Sequence, residues 1–181
     1  YINDITLLFN GYDVNVFDAI NGMTAYSHLD TRRARCHAGC FASHVQVLQE
    51  AANSRNYWHV VFEDDAILDL SLNLNLLSQA PKEATLVYFG GNETRNTCEA
   101  NNVYNYAHRV MCTHAYAVKL SAIPNILKVL NANFGKIDEA FAEYQNENPE
   151  KCVITKHCYA WQAAGFSTIN GVITTNEHLK Y

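Results

Sequence analysis

The chain carries three consecutive acids, Glu63-Asp64-Asp65, at the end of an apolar run through Trp58, Val60, Val61 and Phe62. Adjacent carboxylates repel, and a hard divalent cation bound through their oxygens is one way to hold two of them together. If the backbone stays extended, side chains alternate, so Glu63 and Asp65 share one side and Asp64 takes the other. The plain alternative is that Asp64 or Asp65 caps a helix while the others are solvated. A second acidic pair, Asp138-Glu139, sits where a helix starts, suited either to a general base or to complementing the helix N-terminus. Arg32, Arg33 and Arg35 cluster, able to meet the phosphates of a nucleotide or to form a solvated turn. Gly90-Gly91 closes another apolar run, where glycines let a backbone or a ligand approach closely, or make a turn.

These residues need elements to position them. Val60, Val61 and Phe62 read as a short central strand buried on both faces of a parallel sheet, with the acids at its carboxyl end. Residues 14–17 alternate as a strand that runs into Asp18-Ala19, and residues 23–35 read as irregular and exposed. Residues 38–52 have helical spacing and put His44 on the apolar face, where a histidine is more often a satisfied core residue than a ligand. Residues 85–89 and 113–118 read as strands, with a long polar loop over 92–109 between them. A helix with Pro124 in its first turn and another opening at Ile137 follow, then a last strand over 151–159 and an irregular tail. Strands alternating with helices predict an α/β fold with a mostly parallel sheet flanked by helices.

The 181 residues fit a single domain spanning 1–181, nearly half hydrophobic and 17% charged. A net charge of −5 argues against nucleic-acid binding. No segment reaches the length of a membrane span, which favours a soluble chain. Six cysteines without a Cys-x-x-Cys pair read as reduced, favouring a cytoplasmic setting.

In order along the chain, Phe17-Asp18-Ala19-Ile20-Asn21-Gly22, Gly39-Cys40-Phe41-Ala42-Ser43-His44, Val61-Phe62-Glu63-Asp64-Asp65-Ala66, Tyr88-Phe89-Gly90-Gly91, Thr113-His114-Ala115-Tyr116-Ala117-Val118 and Ile137-Asp138 resemble glycosyltransferase family 25 over residues 13–170. That family includes lipooligosaccharide and collagen galactosyltransferases. The resemblance implies a GT-A-like (Rossmann-like) fold, a nucleotide-diphosphate sugar donor, a glycan or glycoprotein acceptor and inversion at the anomeric carbon. It makes Glu63-Asp64-Asp65 the metal motif, with Asp65 foremost as a direct ligand of Mn²⁺ or Mg²⁺ and Glu63 beside it. It places Asp18 and Ala19 near the nucleoside. Within that frame Asp64 is positioned to accept a ribose hydroxyl, and Arg35, Gly90 and Gly91 join the donor-binding set. A further metal ligand would come from His157 or His178, and His114 and Tyr116 would shape the acceptor pocket. Asp138 is the first candidate base and Glu139 the second.

The chain departs from the family in two places. It starts after the family's opening strand, so a native extension before Tyr1, or a partner chain, is expected to cover the edge that the 14–17 strand would expose. His37-Ala38 also stands where a Gly-Glu pair often precedes Gly-Cys. Two other classes compete: a sugar- or nucleotide-binding module without turnover, and a metal-dependent phosphodiesterase, which would draw more acids from more strand ends than this chain offers.

Overall fold

A computed structural model describes residues 9, 11–93, 98–167 and 172–174. Four α-helices lie among them: α1 (Gly22–Ala25), α2 (Arg32–Ala51), α3 (Ile123–Ala132) and α4 (Ile137–Glu147). The central sheet has five strands in the order β1-β7-β3-β8-β5, namely β1 (Trp58–Phe62), β7 (Ala115–Lys119), β3 (Leu86–Tyr88), β8 (Cys152–Thr155) and β5 (Tyr104–Tyr106). Three two-stranded ladders complete the set: β2 (Ala66–Leu68) with β9 (Ala160–Gln162), β4 (Asn92–Glu93) with β6 (Val110–Met111), and β10 (Gly165–Ser167) with β11 (Val172–Thr174).

Period-2 alternation divides the core between the two faces of the sheet. Leu86, Tyr88, Tyr116 and Val118 point to the side covered by α2, α3 and α4, where they meet Phe41, Leu48, Ile126, Leu130 and Phe141. Val87, Phe89, Ala115 and Ala117 point the other way, onto Phe9, Leu72, Leu76 and Leu77, the last two from a 3-10 helix over Leu74–Gln79. The α/β, Rossmann-like class is therefore borne out.

The sense of the strands differs from expectation. β1, β3 and β8 run in one direction while β7 and β5 oppose them, so β3–β8 is the single parallel pairing of the five-stranded sheet. The reason lies in the connections. A parallel neighbour needs a crossover, usually helical, and the path from β3 to its parallel partner β8 includes α3 and α4; the stretch from β3 to β7 holds only short strands and turns among the described residues. β7 thus enters between β1 and β3 reversed. For the same reason β1 is not central: among the described residues it pairs with β7 alone and forms the sheet edge.

Other local expectations shift too. Residues 14–17 form no strand and leave Val16 62% exposed, because alternation alone does not provide a neighbour to pair with. α2 begins earlier than its apolar spacing, since the Thr31 side chain accepts from the Ala34 N–H and caps the turn that holds the arginines. The tail after residue 159 contains β9, β10 and β11, and short strands interrupt the 92–109 loop. The helix end that the sequence predicts over residues 5–12, closed by Asn10-Gly11, lies mostly outside the described residues.

Two contacts fix the elements that carry the acids. The side chain of Gln145 is buried between α4, β3 and β6, donating to Tyr88 OH (2.9 Å) and the Val110 carbonyl (3.1 Å) and accepting from the Val110 N–H (2.7 Å). It pins the helix whose first turn holds Asp138. On the other side, the turn through Asp18 to Gly22 docks on α2, with the Ile20 N–H donating to Ser43 Oγ (2.8 Å). A Cβ on Gly22 would meet the Arg35 carbonyl at 1.9 Å, and one on Gly39 would meet the Gly22 nitrogen at 2.6 Å. Gly→Ala within an exposed helix stabilises by about 0.5–1 kcal/mol. At Gly39 the sign should reverse, to a loss of about 1–3 kcal/mol from overpacking. Urea denaturation of Gly39→Ala, beside the exposed-face control Gln46→Ala, tests this; a gain in stability would show that the two segments are not in close contact.

Candidate active site

β1 delivers the acids, but the backbone turns as soon as it does. Glu63 continues the ladder by donating its N–H to the His114 carbonyl (2.9 Å), and the Ala66 N–H then closes a turn onto the Glu63 carbonyl (3.1 Å). Alternation ends there, and the three side chains separate.

Glu63 turns into the protein. Its Oε1 accepts from the Thr113 hydroxyl (2.6 Å) and lies 3.1 Å from His44 Nε2, while His44 Nδ1 is 2.9 Å from Tyr116 OH. With Glu63 ionised, His44 Nε2 donates to it, and Nδ1 is paired with the Tyr116 hydroxyl. Burial pushes Tyr116 well above the usual phenol range, with Glu63 and Cys40 adding to it, so this hydroxyl keeps its proton. For Glu63, burial alone would raise the pKa; hydrogen bonds from His44 and Thr113 and the charges of His44 and His114 outweigh it and hold the carboxyl below its usual value. Cys112, just before Thr113, has a φ of 77°, a left-handed conformation that costs a non-glycine residue energy and is found near functional sites.

Asp64 is exposed. Asp65 lies against β9, where its Oδ2 accepts from Gln162 Nε2 (2.7 Å) and its carbonyl from the Ala163 N–H (2.7 Å). Its Oδ1 is buried without a partner. Burial, then the charges of Glu63 and Asp64, push the Asp65 carboxyl above its usual value against the pull of Gln162. An orphaned carboxylate oxygen of this kind is an open acceptor for a cation or a donor.

Asp138, in the first turn of α4, adds its charge to the same electrostatic neighbourhood. The thiols of Cys40 and Cys112 each feel the charges of Glu63, Asp65 and Asp138, and burial together with those charges pushes them up to about 12 and about 11. Asp138 Oδ1 accepts the Glu139 N–H (2.9 Å), while Glu139 is engaged with Lys136 across the helix start. The charges of three carboxylates from two elements thus act on both thiols, and all six cysteines of the chain are free thiols.

The remaining candidates are placed as follows. Gly90 and Gly91 pack against the protein's own chain: a Cβ on Gly90 would lie 1.8 Å from the Ala160 carbonyl, and one on Gly91 2.7 Å from a Val110 methyl. Asp18 and Ala19 are exposed on the turn docked to α2, and Arg35 donates Nε to the Leu29 carbonyl (2.7 Å). His114 is buried, with Nε2 3.1 Å from the Ala160 carbonyl and Nδ1 unpartnered; Tyr116 is fully buried against His44 and Phe141. His157 pairs with Asp69 (3.0 Å), four residues past Asp65 along β2 and so roughly 13 Å away by strand rise. The fold does not bring it to Asp65. His178 lies outside the described residues. Among those described, no group of three or more His, Cys, Asp or Glu side chains could hold a metal ion on its own. The residues that sequence reasoning missed are Gln162, whose amide carries no signal of its own, and Thr113 and His44, whose places in the Thr113–Val118 and Gly39–His44 motifs were the available clue.

With this geometry in place, the chain compares with known proteins as follows. Residues 4–141 match the model of glycosyltransferase family 25, described as an LPS biosynthesis protein. The protein belongs to that family and is a glycosyltransferase, an enzyme that moves a sugar from a donor to an acceptor. Comparison with individual curated proteins gives no match. The match ends inside α4, so β8 and β9, including Gln162, lie beyond it.

Linkage gives the site a pH signature. Glu63 is held below its ordinary value near 4.5, so its contribution to stability is present above that pH and is lost as the pH falls through its folded-state pKa. Glu63→Gln should remove this component, flattening the stability profile below about pH 4.5 relative to the native protein. Parallel acid-side profiles measured by urea denaturation would rule out the His44–Thr113 clamp on Glu63.

Proposed function

We propose that the protein transfers a hexose from a nucleotide-diphosphate sugar to a hydroxyl of a glycan or glycoprotein, with a divalent cation held chiefly by Asp65. The observation that carries this reading is the unpartnered Asp65 Oδ1 at the carboxyl end of β1 in a family 25 chain. The donor set fits one mode of cation binding. Mg²⁺ is commonly held by one or two carboxylates plus substrate phosphates, without an all-protein cage. Asp65 has the free oxygen that mode needs, whereas Glu63 is engaged with Thr113 and His44. When bound, Mn²⁺ or Mg²⁺ would neutralise charge on the departing diphosphate.

The chain's own residues do the rest. Gln162 orients the Asp65 carboxylate through Oδ2 and leaves Oδ1 for the ligand, while the Glu63 clamp fixes the turn from which Asp65 projects. Asp138, half-buried at the start of α4, takes the proton from the acceptor hydroxyl as that oxygen attacks the anomeric carbon from the face opposite the leaving group, so the configuration inverts. Glu139 is the weaker candidate, because Lys136 occupies it and holds its pKa down. Asp18 and Ala19 on the docked turn meet the nucleoside, and exposed Asp64 a ribose hydroxyl, as in the GT-A arrangement that the resemblance implies.

A panel of nucleotide sugars tested by thermal shift, with Mn²⁺ and with chelator, examines the donor half. A ligand at 100 times its Kd adds about 2.7 kcal/mol to a fold that alone binds it. The native protein should be stabilised by its donor only when metal is present. Asp65→Asn should lose that response while its own melting temperature is unchanged or higher, because the carboxyl's raised pKa marks its charge as unfavourable in the fold at neutral pH. An undiminished metal-dependent response in Asp65→Asn would remove Asp65 from the site. Asp138→Asn should keep donor binding and lose transfer about 10²–10⁴-fold; equal transfer rates would exclude Asp138 as the base.

A further inference from the structure

The other end of β1 presents the opposite charge problem. Lys119 pairs in register with Trp58 and is only 8% exposed, yet it forms no ion pair among the described residues. Its Nζ donates to the Lys82 carbonyl (3.0 Å) and lies 5.2 Å from the ring centroids of both Tyr57 and Trp58. One carbonyl and two ring faces solvate the ammonium in part and leave its charge unmatched. Lys119 borders a cleft of about 660 Å³, within the size range of small-molecule sites. The cleft walls are mostly apolar or aromatic, including Tyr57, Trp58, Val60 and Leu77; Lys82 and Lys119 supply the charge, and no Asp or Glu lines it among the described residues. This local surplus of two positive charges sits in a chain of net charge −5.

We propose that this cleft binds an amphipathic anion: a carboxylate or phosphate head placed at Lys119 and Lys82, with an aliphatic body against the rings and the Leu77 side. The charge asks for an anion, and the walls ask for an apolar body. The head cannot be a bare inorganic ion, because transfer of the apolar part from water supplies the larger share of the driving force in a site lined this way. The site is independent of the transfer chemistry, since it lies at the amino end of β1 and the acids lie at its carboxyl end.

Calorimetric titration of the whole protein with decanoate, decyl phosphate and decanol tests the assignment. The two anions should bind at least tenfold more tightly than the alcohol. Lys119→Met, which keeps the length of the stem, should weaken them at least tenfold, and Ser78→Trp, placed on the cleft rim to fill it, should abolish binding. A parallel arm uses vesicles of anionic and of zwitterionic phospholipid. Capture by the anionic vesicles that both variants lose identifies a membrane as the source of the head group; binding of the soluble amphiphiles without capture identifies a free one. Decanol binding as tightly as decanoate, or decanoate binding unchanged in folded Lys119→Met, overturns the proposal. If Lys119→Met does not fold, undiminished decanoate binding by Ser78→Trp overturns it.

Discussion

Three carboxylates in sequence cannot all stay ionised side by side in a partly buried place, and the structure solves this by giving each a different surrounding. Glu63 goes inward to a histidine and a threonine, Asp64 goes to solvent, and Asp65 goes to an amide that satisfies only one of its oxygens. The tight turn closed by the Ala66 N–H on the Glu63 carbonyl makes this separation possible. Nearby packing answers to the same constraint. Burial and the charges of Glu63, Asp65 and Asp138 keep the Cys40 and Cys112 thiols neutral; a further ionised group there would be far more costly.

That turn also explains what the sequence revealed and what it hid. β1, β3, β7 and β8 were legible because short β-branched and aromatic runs bounded by polar or glycine residues have few other solutions. Residues 14–17 alternate, but among the described residues no strand pairs with them, and a strand is defined by its neighbour as much as by its own pattern. The acid cluster was legible as carboxylates at the end of a strand, while the sharing of sides was not. The period-2 argument that put Glu63 beside Asp65 holds only for extended backbone, which ends at Glu63. His157 was attractive by type alone, and only the antiparallel β2–β9 register shows that it sits at Asp69, the far end of that ladder.

The glycines show a related limit. Gly22, Gly39, Gly90 and Gly91 stand in the segments that carry the family resemblance, and a glycine before a site suggests a ligand cradle. In the structure all four accommodate the protein's own atoms at distances no side chain tolerates. Their function is to bring the Asp18 turn onto α2, and the end of β3 onto β9 and β6. The Asp18 turn and the strand β9 that meets Asp65 are thus positioned by backbone contact, which is stiffer than side-chain packing.

β1 ends up with an unmatched carboxylate oxygen beyond one end and an unmatched ammonium at the other. Mutual compensation is too weak to account for either. Trp58 to Phe62 spans roughly 13 Å of strand rise, and at an effective dielectric near 20 two unit charges so far apart gain only about 1 kcal/mol. Leaving a buried charged group without a full set of partners costs more than that. Each group therefore needs a local counterpart, and among the described residues neither has one: Asp65 Oδ1 has no donor and Lys119 no acid. A chain under no other demand would lose little by replacing Lys119 with an uncharged residue that covers Trp58 equally well, or Asp65 with an amide. The raised pKa of Asp65 shows that the fold alone disfavours its charge, the expected state of a group whose counterpart arrives from outside.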